Sequence, residues 1–359
     1  MSSSHETILF VDLKALEHNY NYLKSKLKPD TEIIAVVKAF AYGHGDIVVA
    51  KKLEKLGVNA FWVADFEEGV TLKKAGINLP IIIANPGFKS CSDIVKYNLQ
   101  PVIYNFRLLD LYGEKNLPIF IHLKFNSGMN RYGFNLEEME TLAKKLKKYS
   151  HLKVESMCTH LSSSGNSKQD EFTCFQFQKF ESIASKFYVK TGIKVAQHIL
   201  NTSGVLRFPE HQKEMVRLGI GLYGVGHDKN LKAIAKLQSN IAQIRSVTKG
   251  EKIGYDATFK ANEDMKIGII PIGYADGINR KLGNNTGHVL INEKPVKIIG
   301  KISMDSMLID LRKIEAKEGD IVTIFDAKNN ISEIAKNLGT IPYEILATLN
   351  RRIKRIYSD

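Results

Sequence analysis

Cysteine is scarce in this chain: Cys91, Cys158 and Cys174 are the whole set, and no two form a CxxC pair. An odd, scattered set argues against a disulfide framework and a cysteine–zinc site, and for a reducing compartment. No metal is expected. No apolar run approaches the roughly 20 residues of a membrane span. The opening stretch MSSSHETILFVDL has no basic region followed by a long apolar segment, so no signal peptide is expected. A cytoplasmic protein with no membrane partner is the resulting expectation. Internal repeats, low-complexity tracts, a Cys/His finger and an aromatic RNA-binding signature are also missing.

What is there in excess is positive charge. The formal net charge is +13, mostly lysine spread over helix-like stretches such as LKSKLK and AKKLKK. Those are solvated faces. The densest basic patch is NRRIKR at 350–355. Attraction of small anions, rather than nucleic acid binding, is the reading this distribution supports. A chain of 359 residues, 44% hydrophobic, can bury the core of one large domain plus a smaller one.

Eight short apolar runs recur: IIAVVK (33–38), AFWVA (60–64), IIIA (81–84), PVIY (101–104), IFIHLK (119–124), VESMCTH (154–160), AQHIL (196–200) and MVRLGIGLY (215–223). Most are followed by a charged or amphipathic stretch, such as FEEGVTLKKAG or LEEMETLAKKLKKY. Strands alternating with helical patterns imply βαβ units and a parallel sheet, and eight units suggest a (β/α)8 barrel. DLKALEHNYNYLKSKL (12–27) reads as a helix before the first strand. Beyond about residue 226 the texture changes to short strands joined by Gly, Asp or Asn turns, with a helical pattern returning at ISEIAKNLG. The expected fold class is α/β: a barrel over 1–226 and a mostly antiparallel β domain over 227–359.

Chemistry in such a barrel gathers at the C-terminal ends of the strands. Lys38 ends the first run and Lys124 the fifth, with Arg131 in the loop beyond. His160 ends the sixth, Asn201 and Thr202 follow the seventh, and Arg217 lies in the eighth. A lysine closing five apolar residues either snorkels to water or loses its proton and becomes a nucleophile able to form an imine. Gly219 to Gly224 spell GxGxxG, but the segment about 20 positions on, NIAQIRSVTKG, has no acid, which rejects a dinucleotide fingerprint. Backbone N–H groups there could hold a phosphate, or the glycines could serve tight packing at a domain junction.

Taken together in order, AVVKAFAYGHG, KFNSGMNRYGF, THLSSS, HILNTS, RLGIGLYG, GEKIGYDATF, IPIGYADGINR and GKISMDSMLID resemble the motifs of the alanine racemase family, over nearly the whole chain. That family consists of pyridoxal 5′-phosphate enzymes with a (β/α)8 barrel and a C-terminal β domain. The resemblance implies that Lys38 carries the cofactor as an imine and that Tyr255 is the second catalytic residue. It implies Arg217 at the pyridine nitrogen and His160 supporting Tyr255. Tyr42, Asn201, Thr202, Gly219 and Ile220 would lie at the cofactor, most of them on its phosphate. Arg131 would meet the substrate carboxylate, and Lys124 matches a lysine often carbamylated. Tyr274, Met304 and Asp305 would line the substrate entrance. In the family Tyr255 and those three come from the partner subunit, so a head-to-tail homodimer is implied.

The chemistry suits those residue types. Racemisation takes the α-proton from one face and returns one on the other, which a lysine and a tyrosine on opposite sides can do. A phenol ordinarily titrates near pH 10, so a basic tyrosine needs a cation and a hydrogen-bond donor beside it, roles open to Arg131 and His160. An arginine at the ring nitrogen keeps it unprotonated, which would suppress side reactions. The implied activity is interconversion of L- and D-alanine, the latter for peptidoglycan. A broader racemase for serine or basic amino acids is the alternative. A barrel-type decarboxylase is disfavoured because all three cysteines lie in the barrel, and a cofactor carrier without turnover is disfavoured because such proteins lack the β domain. Departures from the family pattern are Phe40 in place of an asparagine, Asn126, Ser127 and Asn130 in a loop that is usually acidic and glycine-rich, and Thr202 in place of a serine. Arg351 stands where some relatives place a phosphate-binding tyrosine.

Overall fold

All eight apolar runs form strands of a closed barrel in the computed structural model, which describes residues 4–226 and 228–359. A first strand, β1 (Ile8–Asp12), precedes them. The barrel is β2 (Glu32–Val36), β3 (Ala60–Val63), β4 (Ile81–Ile83), β5 (Gln100–Ile103), β6 (Phe120–Lys124), β7 (Lys153–Cys158), β8 (Ala196–His198) and β9 (Met215–Leu218). Each pairs in parallel with the next, and β9 closes on β2. The strands read as continuous apolar runs because a parallel sheet is covered on both faces. Ile33 to Val37, Phe61 and Ile81 to Ile83 are all buried.

Two of the runs stop being strand earlier than their apolar letters suggest. Strand β2 ends at Val36, and the chain enters a left-handed turn in which Ala39, Phe40, Ala41 and Tyr42 have φ of 53°, 57°, 50° and 51°. Strand β9 ends at Leu218, and Ile220–Tyr223 coil into a 3-10 turn closed by Gly224 at φ 75°. A Cβ at Gly224 would lie 1.8 Å from the Lys232 carbonyl oxygen, so only glycine lets the chain leave the barrel there.

The remaining strands build a nine-stranded sheet. They are β10 (Ala235–Asn240), β11 (Gln243–Val247), β14 (Met265–Ile270), β15 (His288–Ile291), β16 (Lys294–Ile299), β17 (Met307–Asp310), β18 (Ile321–Phe325) and β19 (Lys354–Ser358), with β1 among them. A separate two-stranded ribbon is formed by β12 (Lys252–Ile253) and β13 (Phe259–Lys260). The sheet order is β11-β14-β17-β16-β15-β18-β10-β1-β19, antiparallel except for the β1–β19 pair. Thus a barrel is joined to a mostly antiparallel β domain, as expected.

The sequence pattern did not reveal that both ends of the chain enter that sheet. Strand β1 buries Leu9 and Val11 and lies between β10 and β19. The basic segment 350–355 runs directly into β19, so part of the densest basic patch is sheet, and Arg355 is only 8% exposed. The expected boundary at 226/227 abuts His227, which lies outside the described residues. Among the described residues, no helix is long and apolar enough to cross a membrane.

Candidate active site

Lys38 stands at the start of the left-handed turn, past the rim end of β2. Burial lowers its pKa, and the Arg131 charge lowers it further, with Glu68 opposing. A desolvated ammonium beside another cation gives up its proton more readily, leaving a nucleophilic amine. Glu68 bridges the turn to the neighbouring loop: its carboxylate accepts from Ala39 N at 2.6 Å and from Ala64 N at 2.7 Å. Sequence reading passed over Glu68. Its signal was the Asp65-x-x-Glu68 spacing of a helix N-terminus, where Asp65 accepts from Glu68 N.

Arg217 is 5% exposed and has no carboxylate among its hydrogen-bond partners. Its guanidinium donates instead to the carbonyls of Thr159 (2.7 Å), His198 (3.0 Å) and Ile199 (3.2 Å), and to His198 Nδ1 at 2.5 Å. His160 Nδ1 lies 3.4 Å from the same group. Burial lowers the Arg217 pKa, but a guanidinium stays charged in proteins. Since arginine can only donate, His198 must accept at Nδ1 and carry its proton on Nε2. The rest of the chain follows: His198 Nε2 donates to Ser156 Oγ (2.9 Å), Ser156 donates to His122 Nδ1 (2.7 Å), and His122 Nε2 donates to Gln100 Oε1 (2.9 Å). This relay crosses the barrel interior from β9 to β5. None of its members except Arg217 was singled out from the sequence, although each is an inward polar letter in an apolar strand.

Lys124 is buried at the end of β6. Burial brings its pKa down to about 8, against the pull of Cys158, with the charges of Arg217, Arg131 and Lys38 acting in the same sense as burial. Arg131 itself lies exposed in the following loop. Asn126 organises that loop: its Oδ1 accepts from Gly128 N (3.1 Å) and Asn130 N (3.0 Å), while its Nδ2 donates to Asn130 and Asn135 (2.9 and 3.0 Å). A carboxylate could make the first pair of bonds and not the second. That is what the asparagine departure accomplishes here.

A cluster of hydroxyls and backbone N–H groups lies against the turn that follows Lys38, at Tyr42. Thr202 Oγ1 accepts from Gly219 N (3.0 Å) and Gly221 N (3.4 Å). A Cβ at Gly219 would approach the Tyr42 hydroxyl to 3.2 Å, and one at Gly221 would be 2.3 Å from Thr202 Cγ2. Asn201 caps the helix Thr202–Arg207, accepting from Gly204 N and Ser164 Oγ at 2.9 Å each. Tyr343, not singled out from the sequence, packs its ring 5.9 Å from that of Tyr42. Arg351 lies over the Phe40 ring, its guanidinium 4.5 Å from the ring centre.

Tyr255, Tyr274 and Met304 sit on the β domain and are 62%, 43% and 54% exposed. Tyr274 N and Ala275 N donate to the carbonyls of Ser303 and Met304 (3.0 Å each), which ties the Tyr274 turn to the Met304 loop. Arg352 holds Asp276 and Asp305 at 2.6 Å each, completing that knot.

These residues fit a cofactor that has an aldehyde, a ring nitrogen and a phosphate. The desolvated amine of Lys38 suits the first, Arg217 the second, and the cradle that Cβ atoms at Gly219 and Gly221 would fill suits the third. Among the described residues, no group of three or more His, Cys, Asp or Glu is arranged to hold a metal.

Comparison with known proteins points to one family. A family model described as alanine racemase, N-terminal domain, matches residues 11–227, and one described as alanine racemase, C-terminal domain, matches 234–357. An alanine racemase of Thermodesulfovibrio yellowstonii is 35% identical, over 97% of this chain and 96% of its own length. The alanine racemase structure from Clostridium difficile 630 superposes with a TM-score of 0.93 at 30% identity, covering 99% of this chain and 96% of that one. The alanine racemase from Bartonella henselae, solved with covalently bound pyridoxal phosphate, gives 0.89 at 28% identity, covering 99% and 100%.

Proposed function

The chain belongs to the alanine racemase family, and from that premise we propose that it interconverts L- and D-alanine with pyridoxal 5′-phosphate carried on Lys38, using Lys38 and Tyr255 as its two proton-transfer groups. The observation that carries this reading is the convergence on one barrel rim of a desolvated lysine, a buried arginine without a carboxylate, and a hydroxyl-and-amide cradle. When bound, the cofactor supplies an electron sink that stabilises charge at Cα.

The protein's own groups do the rest. Tyr42, Thr202, Gly219, Ile220 and Tyr343 would hold the phosphate, with Asn201 setting the position of Thr202. Arg217 would face the ring nitrogen and, being able only to donate, would leave it without a proton. Lys38 would hold or take a proton at one face of Cα, a role that burial and the Arg131 charge favour by lowering its pKa. Tyr255 serves the other face. Its exposure on the β domain supports a head-to-tail homodimer in which each Tyr255 enters the partner's barrel, with His160 and Arg131 beside it. Arg131 takes the substrate carboxylate, and Tyr274, Met304 and Asp305 narrow the entrance to small side chains. The product would feed peptidoglycan synthesis in the cytoplasm.

Lys124 is open to carbon dioxide: its neutral amine bonds to the carbon, one proton leaves, and the carbamate faces Arg131 as a counter-charge. Labelled bicarbonate is expected to give a carbamate carbon resonance that Lys124→Ala lacks; a spectrum identical in the two proteins would remove this counter-charge from the scheme.

The direct test follows deuterium entry at Cα across a panel of L- and D-amino acids, alongside cofactor titration. Wild-type protein is expected to exchange alanine fastest and to develop the visible absorption of a lysine–cofactor imine. Lys38→Ala is expected to lose that absorption. Its persistence in the variant would rule out Lys38, and faster exchange of serine or lysine than of alanine would favour a broader racemase.

A further inference from the structure

The turn after Lys38 does not look self-sufficient. Four successive residues other than glycine, Ala39 to Tyr42, take left-handed φ between 50° and 57°. L-residues disfavour this conformation, and such a turn persists only where its surroundings over-determine it. Asparagine enters the left-handed region readily, whereas phenylalanine does so reluctantly. This chain has Phe40 at the centre of the turn.

The restraint comes from the far end of the chain. The Phe40 ring has the Arg351 guanidinium at 4.5 Å and that of Arg355 at 5.3 Å. Arg355 also donates to the Gly43 carbonyl through Nε (3.1 Å) and Nη2 (2.9 Å), and to the carbonyls of Leu349, Asn350 and Ile353. The Tyr357 hydroxyl donates to the His44 carbonyl at 3.1 Å. Arg355 and Tyr357 are anchored because β19 pairs with β1. Lys38 and Tyr42 flank the gripped ring, so its hold sets their spacing.

We propose that Arg351 and Arg355 clamp Phe40, and that Phe40 and Arg351 are positioning residues that keep Lys38 and Tyr42 in register for the cofactor. The inference rests on the cofactor reading above. It explains two departures as one device: where asparagine would hold the turn by its own backbone preference, this chain holds a phenylalanine by cation–π contact with its C-terminal segment.

The test uses the full-length protein freed of cofactor. Pyridoxal phosphate affinity is read by absorbance titration, and hydrogen exchange is followed at the amides of 39–43. Arg351→Ala and Phe40→Leu are each expected to weaken the cofactor about three- to tenfold and to speed exchange at those amides, with thermal stability little changed. The double variant is expected to be no worse than either single. Phe40→Tyr, which keeps the ring, is expected to behave as wild type. Phe40→Asn is expected to restore affinity and to make Arg351→Ala silent. Wild-type affinity and exchange in both Arg351→Ala and Phe40→Leu, or a Phe40→Asn variant as weak as Phe40→Leu, would overturn the clamp. If wild type itself takes no cofactor on Lys38, the cofactor reading falls, while exchange at 39–43 still decides whether the clamp exists.

Discussion

Tyr255→Phe is expected to retain the lysine–cofactor absorption and to lose racemisation by about 10²–10⁴-fold, the usual contribution of a positioned acid–base group. A two-base scheme makes a sharper demand. With the phenol gone, Lys38 still serves its own face of Cα, so one enantiomer of alanine should keep washing in deuterium while the other does not. Equal residual exchange of both enantiomers would show that a single group serves both faces, and the scheme would fail. The exposure of Tyr255 adds a second arm. If its phenol enters a partner's barrel, then mixing inactive Lys38→Ala and Tyr255→Phe proteins yields mixed dimers with one intact site. Random assortment recovers about one quarter of wild-type activity in a two-fold symmetric dimer. No recovery after subunit exchange would place both groups on one chain.

Acid is expected to unfold this protein well above the pH at which its carboxylates titrate. His44, His122, His160 and His198 are held neutral. Burial lowers His44 to about 4 and His122 to about 3. Burial, and then the Arg217 charge, push His160 and His198 well below the ordinary imidazole value. For a base with a lowered folded pKa, the unfolded chain binds more protons below about pH 6.5, so stability is lost as pH falls through that value. At pH 5 each neutral histidine withholds at most about 2 kcal/mol, or about 8 kcal/mol for four, against a typical total of roughly 5–15 kcal/mol. Denaturant midpoints should therefore fall steeply between about pH 6.5 and 5. Replacing His122 with asparagine should flatten the slope by close to one proton. A midpoint that stays level down to pH 5 would mean that these imidazoles charge freely in the folded state. The relay gives the loss a local cause: a proton on His122 or His198 removes an acceptor that the chain from Arg217 to Gln100 requires.

Much of the architecture was legible because a covered parallel strand must be apolar on both faces. Eight such runs, each trailed by a charged helical stretch, admitted few arrangements, and all eight proved to be barrel strands. Lys38, Lys124 and His160 at run ends, Thr202 just beyond one and Arg217 within another were legible for the same reason: a polar letter breaking an apolar run stands out. Less visible were groups whose partners are distant in sequence. The Gln100–His122–Ser156–His198 relay looks in each strand like one isolated polar residue. Tyr343 lies 301 positions from Tyr42 and meets it only in the fold. Strands β1 and β19 were missed because their sheet partners lie at the far end of the chain, β1 pairing with β10 and β19, and β19 carries Arg355, which solvation arguments alone would have left in water.

Local sequence, then, determined the eight barrel strands and the polar residues that break several of them at the rim, because these depend on side-chain type and near neighbours. Tertiary structure decided what those residues face: which cations crowd Lys38 and Lys124, what accepts from a buried arginine that has no acid, and why a phenylalanine can occupy a left-handed turn. Electrostatic and desolvation effects depend on distance in space and on burial. Closure of the barrel and addition of β19 to the sheet create both, and neither can be read from spacing along the chain.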